Sequence, residues 1–261
     1  VTLGSPSASE PSGRLQWRLT VVDSIDSTNS EAVRRAKAGE AAGFAIATSR
    51  QTAGRGRSGR AWSTAGADLA LSVLLRPALS PSAAAAGSFV AALAVADFAA
   101  SHLPASSAPR IKWPNDVMIG DGKLSGILLE ATGGSGGEVE WLVIGIGVNL
   151  APANRPGAAN PIDIVSAGGP ALTMRQAADG LLAAIDHWVA IWLDQGFGPI
   201  REAWRSRARD LGQQVAARLP NETIYGIARD LAADGALILD LPDGHERRIA
   251  AGDVFPLQAQ G

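Results

Sequence analysis

Between Arg110 and Leu150 the chain reverses direction repeatedly within a few residues, and this spacing constrains its fold more than any other feature. Arg110–Trp113 and Val117–Ile119 read as short strands, the second closed by the turn Gly120-Asp121-Gly122. Leu124–Thr132 and Val139–Leu150 form the next pair, joined across Gly133–Gly137. Parallel neighbours need a crossover of about a dozen residues, so connections this short demand antiparallel pairing. Ahead of the run, Trp17–Asp23 alternates like a strand, Phe44–Thr48 is a short apolar strand and Asp68–Leu75 a second core strand.

Helical signals separate these strands. Ser27 or Thr28 can cap a helix running to about Ala38 and stopping at Gly39. An alanine-rich helix begins near Ser82. Its nearly uncharged stretch, Ala83–Leu103, is interrupted by Asp97 and His102 and draws its apolar character from alanine, so it reads as a buried helix and not as a membrane span. Thr173 caps a helix with Leu181, Ile185, Trp188 and Trp192 on one face, and another runs from about Pro199 to Leu211. The predicted class is α+β: a mixed, largely antiparallel sheet with helices on one face.

The pattern changes after residue 212. Gln214–Leu219, Thr223–Leu231, Leu237–Leu241 and Arg247–Ala250 alternate between Pro-Asn and Asp-Gly turns, which predicts a small C-terminal β-barrel over 213–261. The main domain then covers 15–212. Residues 1–14, rich in Ser, Pro and Gly, read as a disordered tail and not a signal peptide, which makes the expected location cytoplasmic.

Charge and cysteine count exclude several function classes. Lys and Arg number 23 against 25 Asp and Glu, a net charge of −2, so no global basic field points to nucleic acid. The chain has no cysteine, which removes disulfides, thiolate nucleophiles and thiolate metal sites, and its 3 histidines lie far apart. No protein-held metal site is expected.

Five short motifs carry the chemistry. Arg50, Arg55, Arg57 and Arg60 fall within eleven residues, in and just before Gln51–Trp62, with Gly54, Gly56 and Gly59 and no acid among them. Glycine-freed N–H groups and guanidinium forks suit phosphate oxygens, although a solvated basic loop or a nucleic-acid contact fits the composition as well. Lys112-Trp113-Pro114-Asn115-Asp116 could equally be a plain strand end with a turn. Lys123 opens the apolar strand Leu124–Glu130 and could set an ammonium against a carboxylate or phosphate, or simply snorkel from a hairpin end. Ser27-Thr28-Asn29, at a helix N-terminus, could hold a neutral polar group or serve only as a cap. Gly145 and Gly147, inside an apolar strand before Asn149, mark a close backbone approach or a bulge.

In this order the motifs resemble one family. Ser-Thr-Asn, Gln-x-x-Gly-Arg-Gly-Arg, Lys-Trp-Pro-Asn-Asp, Lys-Leu-x-Gly-Ile-Leu-x-Glu and Gly-x-Gly-x-Asn, spread over about Val21 to Leu150, look like the biotin–protein ligases. The resemblance implies a class II synthetase-like catalytic domain followed by an SH3-like domain. It implies biotin contacts from Ser27, Thr28, Asn29, Gln51, Gly54, Arg55, Gly56, Arg57, Lys123 and Gly126. It places Arg57, Arg60, Trp62, Lys112, Asn115, Asp116 and Asn149 on the ATP and adenylate side, and gives the catalytic roles to Lys123, Arg55 and Arg57. Segments 54–62 and 152–165 would be mobile loops over the ligands, the second covering adenine.

The resemblance further implies the reaction. Biotin and ATP, with Mg²⁺, would give biotinyl-5′-AMP, and the biotinyl group would pass to a lysine of a biotin carboxyl carrier domain of an acyl-CoA carboxylase. Ser58 departs from the pattern, standing where some members carry another arginine. The short segment before the first strand leaves no room for the helix-turn-helix arm of the repressor members, so no specific DNA binding and no membrane association are expected. Two competing readings are a lipoate or octanoate ligase or transferase of similar fold, and a nucleic-acid-binding protein using the Arg/Gly loop.

Overall fold

The computed structural model describes residues 15–257 apart from 65 and 159. The tail expected at 1–14 lies outside the described residues, and so does the side chain of Ser58.

Alternating strands and tight turns assemble one large sheet. It comprises β1 (Arg18–Val21), β2 (Phe44–Thr48), β3 (Asp68–Leu75), β4 (Arg110–Lys112), β5 (Asp116–Ile119), β6 (Gly122–Gly133) and β7 (Val139–Asn149). Their order is β1-β2-β3-β7-β6-β5-β4. The short connections behave as their length requires: β4 to β7 pair antiparallel in succession. β1 and β2 are parallel, with helix α1 (Thr28–Lys37) as the crossover. The remaining helices are α2 (Pro81–Ala84), α3 (Gly87–Ala100), α4 (Met174–Gln195) and α5 (Phe197–Arg207).

Strand alternation gives the sheet two different faces. Leu69, Leu71 and Val73 of β3, with Leu142, Ile144 and Ile146 of β7, meet α3 and α4 in the main core. Each such leucine or isoleucine, fully buried, contributes roughly 1.5–3 kcal/mol. The alanine-rich helix is a core helix as expected: 72% of its most apolar window is buried. The helices were expected on one face; α3 and α4 keep to it, with α5 packed on them, and α1 is the exception. Ala32 and Ala36 of α1 pack on Phe44, Ile46, Leu74 and Val143, whose side chains point the other way. The rest of that second face, beyond α1, is the floor of a cleft.

Residues 208–213 lead into the C-terminal module. There β8 (Gln214–Arg218), β9 (Thr223–Leu231), β10 (Leu237–Asp240), β11 (Glu246–Ile249) and β12 (Asp253–Pro256) form an antiparallel sheet in the order β11-β10-β9-β8-β12. Strand β12 was not among the expected runs. It is short, ends in Pro256 and exists by pairing with β8 at the sheet edge, where a missing N–H costs no ladder bond. The module is docked, not tethered: Trp113 Nε1 donates to Gly235 O at 3.0 Å, and Arg201 pairs with Asp230 at 2.8 Å.

Candidate active site

A cleft of about 400 Å³ lies on the open face of the large sheet, between α1, the 51–63 segment, the 151–161 segment and β12. Six cations line it (Arg55, Arg57, Arg60, Lys112, Lys123 and Arg155) against two acids, Asp116 and Asp253. In a chain of net charge −2 this is a local concentration of positive charge, and an enclosed one, where field lines are focused.

One end of the cleft is neutral and rich in hydrogen bonds. Ser27 caps α1, its side chain accepting from Ser30 N, which is worth about 1 kcal/mol and fixes the first turn. That turn presents Thr28 and Asn29, both buried. Gln51 Oε1 accepts from Thr28 N at 2.8 Å, and Ser72 Oγ on β3 lies 2.8 Å from Thr28 Oγ1 and 2.7 Å from Asn29 Oδ1. Gly145 makes room for this arrangement: a Cβ there would sit 1.9 Å from Asn29 Oδ1. The glycine suspected of admitting a close approach does so, and the visitor is the Asn29 carboxamide.

The arginine segment forms a strap across the cleft. Its ends are clasped by Trp62 N donating to Gly54 O at 3.0 Å. Each arginine is tied to a different element. Arg55 pairs with Glu130 of β6 at 2.7 Å, Arg57 donates to Asn115 Oδ1 at 2.8 Å, and Arg60 pairs with Asp253 of β12 at 3.2 Å. Glu130 Oε2 also accepts from Asn29 Nδ2 at 2.9 Å, so one carboxylate joins the strap to the neutral pocket. All three guanidinium groups are tied to protein acceptors, Arg57 half-buried in the cleft and Arg55 and Arg60 exposed at its rim. Tied back in this way they border one anion-sized cleft and do not spread over a broad basic face.

Lys123 reaches the cleft because of a bulge. Val117 faces Ser125 across the β5–β6 ladder, but Met118 faces Lys123, so Leu124 is the extra residue. Without it Lys123 would share the core-facing side of Ser125. With it, Lys123 Nζ stands 2.7 Å from Asp116 Oδ1 and 5.8 Å from the centre of the Trp62 ring. The indole lies over Gly147, which has no room for a Cβ, and against Gly126, where a Cβ would sit 3.0 Å from the ring. Lys112 packs its ammonium 4.8 Å from the Phe255 ring centre. Burial lowers its pKa, an effect that nearby Asp116 opposes. Behind it, burial raises the pKa of Asp210, against the pull of Arg209 and Lys112. Among the described residues Trp62 Nε1 and Asn149 Oδ1 are buried without a hydrogen-bond partner, an unmet donor and an unmet acceptor in the cleft.

The structure therefore brings together nearly all the expected residues. Ser27, Thr28, Asn29, Gln51, Arg55, Gly56, Arg57, Arg60, Trp62, Lys112, Asn115, Asp116, Lys123, Gly126 and Asn149 all line the cleft. Gly54 does not; it is packed between Gln51 and the Trp62 carbonyl at the clasped end of the strap. Arg155 and Asp253–Phe255 line the cleft but were missed, and so was Ser72, which braces it. Ser72 carried a readable signal, a hydroxyl within a strand otherwise apolar from Leu69 to Leu75. The others depend on contacts between distant segments.

Comparison with known proteins agrees with this geometry. Residues 21–149 match the Biotin/lipoate A/B protein ligase family, and residues 210–255 match the biotin protein ligase C-terminal domain. The chain is 40% identical to a biotin--[acetyl-CoA-carboxylase] ligase of Paracoccus denitrificans, over 88% of this chain and 97% of that one. It is 34% identical to the ligase of the same name from Mycobacterium tuberculosis, over 93% and 90%. Its fold superposes on the biotin protein ligase from Aquifex aeolicus, solved in complex with biotin and ATP, with a TM-score of 0.75 at 23% identity, covering 92% of this chain and 99% of that one. Motif order, the cationic cleft with its neutral end and the two-domain match together establish that this chain belongs to the biotin–protein ligase family.

Proposed function

We propose that the chain condenses biotin with ATP to biotinyl-5′-AMP and passes the biotinyl group to a lysine of a biotin carboxyl carrier domain. The observation that carries this reading is the junction at Lys123. A neutral hydrogen-bonding pocket (Thr28, Asn29, Gln51) meets a cationic stretch (Arg57, Lys112) there, as a ligand with an uncharged head and a terminal acid beside a polyphosphate would require.

In the first step a biotin carboxylate oxygen attacks the α-phosphorus, and the bond to the pyrophosphate oxygen breaks. Negative charge crowds at that junction, and Lys123, Arg55 and Arg57 are placed to offset it without further reorganisation. In the second step the carrier lysine nitrogen attacks the acyl carbon, the acyl–phosphate bond breaks, AMP leaves and the nitrogen loses its proton. Neither step needs a protein nucleophile, in keeping with a chain that has no cysteine. The strap shields the mixed anhydride from water.

Mg²⁺ suits the donors present. Asp116 offers a cleft-facing carboxylate, and Mg²⁺ is usually held by one or two carboxylates together with substrate phosphates. Among the described residues no cluster of three or more His, Cys, Asp or Glu forms a cage. Asp116 would hold the ion against the phosphates, and the ion would supply charge neutralisation. The carrier it would act on is of the acetyl-CoA carboxylase type that the relatives' names give, and the expected location stays cytoplasmic.

The test is incubation with biotin and α-labelled ATP, followed by separation of labelled biotinyl-AMP. The full chain should form it. Lys123→Ala should lower the rate by about 10²–10³, the usual effect of losing one preorganised charge at the reacting centre, with the melting temperature little changed. A folded Lys123→Ala variant of full activity at saturating biotin would remove Lys123 from the mechanism.

A further inference from the structure

The segment 151–162 is pinned at both ends, and the pin at its start involves two residues, Asp68 and Arg155, outside the five motifs. Asp68 opens β3, and its side chain is fully buried at 0% exposure; its partner in the ion pair is Arg155, whose side chain is 4% exposed. A carboxylate so buried is tolerable only with a charged, hydrogen-bonding partner. The same guanidinium donates to Ala151 O at 2.6 Å, so it folds the start of its own segment around the pair. The residues that follow, Pro156, Gly157 and Ala158, form a wall of the cleft.

The far end is pinned on Lys123. Lys123 N donates to Asn160 O at 2.8 Å, and Ile162 N donates to Lys123 O at 3.1 Å, so the segment holds both backbone polar groups of that residue. Asn149 Nδ2 secures the joint by donating to Lys123 O at 3.0 Å and Ile162 O at 2.9 Å. Asp68 and Asn149 are register partners, four residues along the ladder from the Ser72–Gly145 pair beside Asn29. At about 3.3 Å per residue that separates the two positions by about 13 Å. The pinned segment thus belongs to the end of the cleft away from the neutral pocket.

We propose that Arg155 is a positioning residue for the nucleotide half-reaction. Its ion pair with Asp68 latches segment 151–162 against the nucleotide end and, through the Asn160 and Ile162 hydrogen bonds, keeps Lys123 aligned. The latch rests on the proposed function for its substrate. Its mechanical part, the ordering of the segment, does not.

Two measurements on the full chain test it. Hydrogen exchange of the amides in 151–162 and of Lys123 should quicken in Arg155→Ala and in Asp68→Asn, while amides of α1 stay protected. In adenylate formation, Arg155→Ala should raise KM for ATP about ten-fold and lower kcat, leaving KM for biotin within about two-fold, with Arg155→Lys intermediate. If a single variant fails to fold, Asp68→Asn combined with Arg155→Met, which strands no buried charge, carries the same two measurements. Unchanged exchange, or equal changes in both KM values, overturns the latch. A wild-type chain that makes no biotinyl-AMP overturns the proposed function instead, and the exchange data still decide the latch.

Discussion

Replacing Gly147 by alanine would drive a methyl group into the Trp62 indole. The added Cβ would lie 2.1 Å from Cε2, 2.3 Å from Nε1 and 2.4 Å from Cζ2. Ordinary contact begins near 3.4 Å, so one partner must retreat by 3.4 − 2.1, about 1.3 Å. Gly147 cannot move, because β7 is hydrogen-bonded on both sides, opposite Ala70 of β3 and Gly126 of β6. Trp62 can, because it belongs to the strap. The strap would therefore undock, loosening Arg55 and Arg57 with it. Overpacking of this kind costs about 1–3 kcal/mol, or a factor of about 5 to 150 in the population of the ordered strap. The assay is single-turnover adenylate formation at saturating ATP in a cycle of wild type, Gly147→Ala, Trp62→Ala and the double variant. Gly147→Ala should slow adenylation within that range in the wild-type background and add little once Trp62 is gone. Independent, additive effects would refute the argument, since the methyl would then be acting on something other than the indole.

Two further outcomes follow from the ion pairs. Asp26 is held at a pKa of about 2, below its ordinary 3.8, mainly by hydrogen bonds from Arg34 and next by the Ser27 amide. A lowered folded-state pKa stabilises above the unfolded value and loses that contribution as pH falls through the folded one, so Asp26→Asn should flatten the fall in urea midpoint between about pH 4 and pH 2; an unchanged acid limb contradicts the pairing. Glu130→Gln keeps an acceptor for Asn29 and Arg55 but loses the charge, which should speed biotin release about five-fold, corresponding to about 1 kcal/mol between charged and neutral hydrogen bonds. Stopped-flow release at the wild-type rate would mean that Glu130 does not hold the strap.

What the sequence determined alone is what is local. Turns too short for a crossover settled that β4 to β7 are antiparallel, Ser27 or Thr28 and Thr173 marked helix starts, and alternation placed the strands of the C-terminal module up to β11. Nearly every residue that motif order named lines the cleft, because reactive groups and their adjacent glycines sit together on one strand or loop. Tertiary structure decided the rest. The apolar stripe of α1 does not say which face of the sheet it will cover. The extra residue at Leu124 that turns Lys123 toward the cleft is visible only against β5. Strand β12 exists through its pairing with β8, and Arg155 has its role through Asp68, 87 positions away. Periodicity records the spacing of neighbours along one segment, whereas register and the partners of buried charges depend on which distant segments come to lie side by side.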